Sequence, residues 1–191
     1  MKSRNIWFTS DTHFSHFNII GLCKRPFQTA EEMNERLIKN WNDRVNPEDE
    51  IYHLGDVAFY RSKVGNGLKI HPKEIISRLN GQITYIAGNH DAGGHNGLHL
   101  KNHRIVIYIS KMFVNLVHNP EHGSLEYELN LHGHLHGKER IVKVIERAGK
   151  KSLFIDVGVE CWQYRPVSWQ KIYEIYSQWK AGNNVEEIYS R

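Results

Sequence analysis

The chain has 191 residues, 40% hydrophobic and 11% aromatic, which is enough apolar material for one globular domain over 1–191 with a sizeable core. A formal charge of +4 favours phosphate-bearing ligands without amounting to a nucleic-acid signature. The N-terminus runs into a short apolar strand without a signal-peptide core, no apolar run is long enough to span a bilayer, and Cys23 and Cys161 form no Cys-x-x-Cys pair, so the expectation is a cytoplasmic protein with idle thiols, no membrane association and no obligate protein partner.

Residues 6–9 read as a buried strand ending in Ser10-Asp11-Thr12-His13. A carboxylate and an imidazole at a strand's C-terminal end can both bend toward one ion, and in open α/β sheets ligands bind at that end. Asp-x-His alone also fits a cap or a surface pair. His16 and Asn18 follow on a loop or short helix over 17–23, which Pro26 stops just after Arg25. Thr29-x-x-Glu32 forms a capping box for a helix to about residue 43, whose stripe of Met33, Leu37, Ile38 and Trp41 packs the core. Residues 50–54 form a second strand running into Gly55-Asp56. A polar loop over 60–69 and a helix from Pro72 to about residue 79 lead to a third strand, 83–87, ending in Gly88-Asn89-His90-Asp91. One delivery of polar groups to a strand end is commonplace, but a run of them in register is not.

Residues 92–103 form a loop rich in glycine, histidine and asparagine that borders the others. Residues 104–109 and 112–117 pair as a hairpin across Ser110-Lys111, and the second strand ends at His118-Asn119-Pro120. A strand over 129–131 then leads into His132-Gly133-His134-Leu135-His136-Gly137. Taken alone, these residues fit a solvated histidine-rich loop as well as a metal site. Strands over 141–145 and 153–157 pair across a basic turn, 147–151, and a last helix from about Ser168 places Trp169, Ile172, Tyr176 and Trp179 on the core.

Asp11-x-His13, Gly55-Asp56, Gly88-Asn89-His90-Asp91, His118 and Gly133-His134-x-His136 occur in the order of the calcineurin-like metallophosphoesterases, and the chain resembles the small, single-domain bacterial and phage members of that superfamily over residues 6–137. The resemblance implies an α/β fold, a two-sheet β-sandwich flanked by α-helices, with the metal site at the C-terminal ends of strands. It implies Asp11, His13, Asp56 and His136 on a first ion and Asp56, Asn89, His118 and His134 on a second. His90 would be left free of metal as the general acid toward substrate, with Asp91 orienting its ring. Asn89, His16, Asn18 and Arg25 are the candidates for contact with the substrate phosphate, a guanidinium being suited to phosphate. His132 is assigned to structure because the ligand count is already filled.

The chemistry points the same way. A phosphate ester is anionic and repels hydroxide, and two ions about 3.5–4 Å apart neutralise that charge and generate the nucleophile at neutral pH. Aspartate, histidine and asparagine donors accept divalent transition metals, Mn²⁺ first, with Fe, Zn, Co or Ni as alternatives. The implied activity is hydrolysis of a phosphomonoester, phosphodiester or cyclic nucleotide. The alternatives are a nuclease or nucleic-acid end-processing enzyme of the same superfamily, and a catalytically silent metal-binding scaffold, which should have lost His90 or a ligand and here has not.

Overall fold

The computed structural model describes residues 4–59, 71–91, 98 and 100–190. The first sheet contains β1 (Ile6–Thr9), β2 (Glu50–His53), β3 (Gln82–Tyr85) and β9 (Val167–Ser168), in the order β3-β2-β1-β9. β1, β2 and β3 are mutually parallel, and β9 runs antiparallel to β1. The alternation of a strand decides which side chain goes to which face. Trp7, Ile51 and Ile83 stand in register and pack with Trp41 and Val45 on one face. On the other face, the Phe8 and Tyr52 rings stack 5.6 Å apart. Both faces are covered, as parallel strands require.

The second sheet has β4 (Arg104–Ile109), β5 (Met112–Val117), β6 (Leu129–His132), β7 (Val142–Arg147) and β8 (Lys150–Asp156), in the order β4-β5-β6-β8-β7. β5, β6 and β8 are parallel, with the antiparallel β4 and β7 at the edges. One core cluster joins Phe8, Leu54 and Ile86 to Leu116, Leu129, Leu131, Leu153 and Ile155. The helices are α1 (Phe17–Leu22), α2 (Ala30–Asn42), α3 (Pro72–Ile76), α4 (Trp169–Lys180) and α5 (Val185–Ile188). Ile19, Met33, Leu37, Ile38 and Ile75 from the first three form a second cluster with Phe14 and Val57, while Ile172, Ile175 and Val185 from the last two join the first. These are two sheets flanked by helices, as the resemblance implies. No helix among the described residues is long and apolar enough to cross a membrane.

Several boundaries differ from the sequence expectation. The helix expected to reach residue 79 stops at Ile76, because Arg78 N and Leu79 N bond to carbonyls three residues back, which tightens the last turn. β3 runs Gln82–Tyr85 rather than 83–87, since its pairing with β2 ends at His53↔Tyr85. The β7–β8 hairpin turns at Ala148-Gly149 alone, both at positive φ as in a type I′ turn, so Arg147, Lys150 and Lys151 belong to strands instead of a basic loop. Thr29 accepts from Glu32 N at 3.1 Å, while Glu32 reaches Gln28 N rather than completing the box. β9, α5 and the 3-10 turns Pro120–His122 and Val159–Trp162 are additions to the sequence reading. The loop 60–69, together with 92–97 and 99 of the loop 92–103, lies outside the described residues.

Candidate metal centre

The parallel strands of the two sheets aim their C-terminal ends at one place. Asp11 and His13 follow β1, Asp56 follows β2, Asn89 and His90 follow β3, His118 follows β5, and His134 and His136 follow β6. The chain has to turn sharply there. Asp11 (φ 59), His13 (48), Asp56 (55), His134 (74) and His136 (49) all occupy the left-handed region that non-glycine residues rarely adopt. Such strain persists only where the surroundings over-determine it, and it clusters at functional sites.

Asp11, His13, Asp56 and His136 place one ligand atom each within 4.8 Å of one another, the aspartates and His13 fully buried and His136 partly so. On the other side, Asn89 Oδ1 lies 3.0 Å from His118 Nε2 and 2.9 Å from His134 Nδ1, and the two ring nitrogens are 3.3 Å apart. Asp56 Oδ2 sits between these sets, 3.4 Å from His13 Nε2 and 3.5 Å from His118 Nε2. The His90 ring overhangs the cluster, exposed, with its centroid 5.2 Å from that of His13, and its backbone N–H donates to Asp56 Oδ1 at 2.9 Å.

Close backbone approach frames the carboxylates. A Cβ on Gly88 would collide with Asp56, and one on Gly133 with Ser10 and Asp11, so the bare backbone lets both aspartates seat. Asp11 Oδ2 accepts His134 N at 2.9 Å, linking the turns after β1 and β6. Thr12 Oγ1 donates to Val57 O at 2.7 Å and meets His53 Nε2 at 2.9 Å.

The charges follow from burial and neighbours. Burial pushes the Asp11 carboxyl up to about 7 and holds His13 down to about 3. Burial also works against an ionised Asp56, but the adjoining His118 and His13 imidazoles outweigh it and keep that carboxyl well below the usual range. For His118, burial opposes protonation while the Asp56 hydrogen bond and the Asp11 and Asp56 charges overcome it, raising its pKa to about 9. His136 rises to about 10 because contacts with Cys23 and Glu160 and the charge of Asp11 overcome its burial. Without metal, protons on His118 and His136 take the place of cations.

The remaining candidates divide. His16 is buried against the cluster, its Nδ1 3.3 Å from His13 Nδ1 and its ring stacked 4.2 Å from Phe59. Asn18 lies exposed on α1 with no hydrogen bond to the cluster among the described residues. Arg25 requires a correction. Its side chain is fully buried and donates to Asp11 O (2.6 Å), Thr12 O (2.9 Å), Met33 Sδ (3.3 Å) and Glu160 Oε1 (2.6 and 3.0 Å), so its donors are directed inward and not to a substrate phosphate. The Asp91 carboxylate, expected at the His90 ring, accepts from the backbone of Asp56 (2.6 Å), Gly88 (2.8 Å) and Val57 (3.2 Å), tying the turn after β2 to the turn after β3. His132 Nδ1 meets Gly133 O at 3.0 Å within the buried interior. Two participants escape the sequence reading. Glu160 lies 3.1 Å from His136 Nδ1, and Cys23, expected to be idle, sits within ligand distance of both.

Two observations test whether the donors suit divalent cations. Asp11 Oδ1 and His13 Nε2 are buried with no hydrogen-bond partner, in a class of groups that is nearly always satisfied. Asn89 Oδ1, His118 Nε2 and His134 Nδ1 converge on one point where neutral imidazoles cannot satisfy every pair. Oxygen and imidazole donors converging in this way fit divalent transition metals.

A two-sheet sandwich carrying this cluster at the C-terminal strand ends is the arrangement that the resemblance to the calcineurin-like metallophosphoesterases implies. No protein-family model matches the chain. It is 36% identical over 193 residues to the uncharacterized protein MJ1445 of Methanocaldococcus jannaschii, an alignment spanning 98% of this chain and 100% of that protein. It is 33% identical over 87 residues to the Gene 66 protein of Mycobacterium phage L5, spanning 46% of this chain and 40% of the phage protein. Among solved structures, the protein of unknown function AQ665 from Aquifex aeolicus matches its fold with a TM-score of 0.66 at 22% identity, covering 91% of this chain and 100% of that one. The chain belongs to one family with the protein from Methanocaldococcus jannaschii.

Proposed function

We propose that this protein hydrolyses a phosphate ester (a phosphomonoester, phosphodiester or cyclic nucleotide) with two divalent transition-metal ions, Mn²⁺ first among them. The observation that carries the proposal is Asp56 Oδ2, poised between two converging donor sets. Asp11, His13, Asp56 and His136 would hold the first ion, and Asp56, Asn89, His118 and His134 the second. Bound there, the pair supplies a water of lowered pKa and neutralises charge on the phosphoryl group. The chain's own residues do the rest. The strand-end turns fix donor positions before substrate arrives, so little reorganisation is left for the reaction. Asn89, exposed at the rim, can also donate its amide N–H to a phosphoryl oxygen. His90 stands exposed beside His13, where its ring can protonate the leaving oxygen. Both cysteines are free thiols, which fits a reducing, cytoplasmic compartment.

The test is metal content after Mn²⁺ reconstitution, with turnover of p-nitrophenyl phosphate, bis-p-nitrophenyl phosphate, 2′,3′- and 3′,5′-cyclic nucleotides and single-stranded DNA. Two ions per chain are expected, with Asp56→Asn losing turnover and holding both ions more weakly. One ion per chain, or normal turnover by Asp56→Asn, refutes the dinuclear reading.

A further inference from the structure

Behind His136 lies a buried polar relay that the proposed reaction does not itself use. His136 Nδ1 is 3.1 Å from Glu160 Oε1, while its Nε2 faces Asp11 Oδ1 at 3.9 Å. Arg25 grips the same Glu160 oxygen with Nε (3.0 Å) and Nη2 (2.6 Å), and its Nη1 and Nη2 hold the carbonyls of Thr12 and Asp11. The Arg25 side chain is 0% exposed and that of Glu160 5%, so the carboxylate meets the guanidinium in the interior.

We propose that Glu160, held by Arg25, is the positioning residue that fixes the ring of His136 for the first ion. The proposal rests on the metal reading above. A neutral imidazole has one ring proton and one lone pair. With a carboxylate facing Nδ1 and the donor cluster facing Nε2, only the Nδ1–H tautomer satisfies both sides. It donates to Glu160 and leaves the Nε2 lone pair for the ion. A carboxylate behind a ligand imidazole also raises its basicity, and removing such a partner typically weakens metal binding ~10–100-fold. Arg25 makes the arrangement sustainable. It neutralises Glu160 where an unpaired carboxylate would be expelled or protonated, and it couples the position of Glu160 to the turn that carries Asp11 and His13.

Cys23, His136 and Glu160 also lie close enough to hold an ion of their own, and Glu160 Oε2 is buried without a hydrogen-bond partner. A guanidinium 2.6 Å from Glu160 Oε1 opposes a further cation there, which favours orientation over ligation.

The experiment uses full-length protein labelled with ¹⁵N-histidine, loaded with Zn²⁺ and read by the ring-nitrogen shifts, with metal affinity measured separately by chelator competition. In the wild type His136 should be protonated at Nδ1 and metal-bound at Nε2. Glu160→Gln should weaken the first ion ~10–100-fold and mix the tautomers. In a His136→Ala background the same change should weaken the ion no further, whereas a merely structural role for Glu160 would still lower affinity there. The wild-type spectrum decides the tautomer even if Glu160→Gln does not fold. Coordination of His136 through Nδ1, or an unaltered affinity in Glu160→Gln, overturns the role of Glu160 while His13, His118 and His134 still report metal. If no histidine ring responds to Zn²⁺, the metal centre itself falls. A thiolate-to-cobalt charge-transfer band in Co²⁺-loaded wild type that is lost in Cys23→Ser shows that the cluster is an ion site, and also overturns the proposal.

Discussion

Gly133→Ala changes no proposed ligand and should still misplace the donors and weaken metal binding. Gly133 links β6 to His134, and its N–H donates to His118 O at 3.0 Å. A Cβ there would lie 2.5 Å from Ser10 Cβ and closer still to Ser10 Oγ and Asp11 Oδ2, where contacts under 3.0 Å force a shift. Ser10 cannot yield easily, because its Oγ reaches Leu54 O and Gly55 O at 3.1 and 3.3 Å. Reaching ordinary contact takes a displacement of about 1 Å, several times the ~0.2 Å tolerance of a ligand position. Overpacking costs about 1–3 kcal/mol, and the Asp11 bond to His134 N adds about 1 kcal/mol when lost. The sum, about 2–4 kcal/mol, lowers the Tm of a chain this size by roughly 5–15 °C. Activity should fall ~10²-fold from misplacement of about 1 Å. Elemental analysis, thermal unfolding and turnover are the assays. Gly21→Ala is the control: nothing lies within 4 Å of its added Cβ and it sits inside α1, so it should gain about 0.5–1 kcal/mol. A Gly133→Ala protein with wild-type Tm and full metal content refutes the crowding argument.

His90→Ala should keep both ions and lose ~10²–10⁴-fold on alkyl or nucleotide esters but far less on aryl esters, whose leaving group does not need a proton. His118→Ala should lose an ion and harm every substrate alike, so metal content and turnover on one ester of each kind separate the two roles. The metal-free protein should be most stable near pH ~6.5. His13 and His53, held down by burial to about 3, and His16 and His132, to about 4, contribute stability above their unfolded pKa that is lost as pH falls through the folded values. His118 and His136, raised to about 9 and 10, contribute stability below the unfolded pKa that is lost as pH rises through those values. Metal uptake at neutral pH should therefore release protons and move the optimum upward; calorimetry in buffers of differing ionisation enthalpy, with thermal melts against pH, checks both. Arg25→Ala strands the buried Glu160 carboxylate and should cost about 3–5 kcal/mol; an unchanged unfolding midpoint in denaturant rules that out.

The candidate ligands are legible in the sequence because each follows a short apolar strand, so the strand pattern alone places Asp11, Asp56, Asn89 and His118 at strand ends. The hairpin at Ser110-Lys111 is legible from its flanking apolar runs, and both turn residues take positive φ. Arg25 reads as a phosphate contact only because its partner Glu160 is 135 residues away, a pairing that no local pattern encodes. Glu160 itself lies in a four-residue 3-10 turn with no periodicity to mark it, and β9 is too short to show alternation. The turn at Ala148-Gly149 reads too broadly in the sequence because alanine in a left-handed position is an unusual turn signal.

The left-handed backbone of Asp11, His13, Asp56, His134 and His136 sets the needs of the fold against those of the site. Glycine or asparagine would rest more comfortably at each position. A laboratory selecting this protein for heat resistance without metal would therefore read its most purposeful residues as defects and repair them one by one. On the proposed metal reading, metal supplied during selection would reverse the direction of that drift, because the ion would reward the strained conformation. The composition of the growth medium thus becomes a design variable as consequential as the mutations themselves.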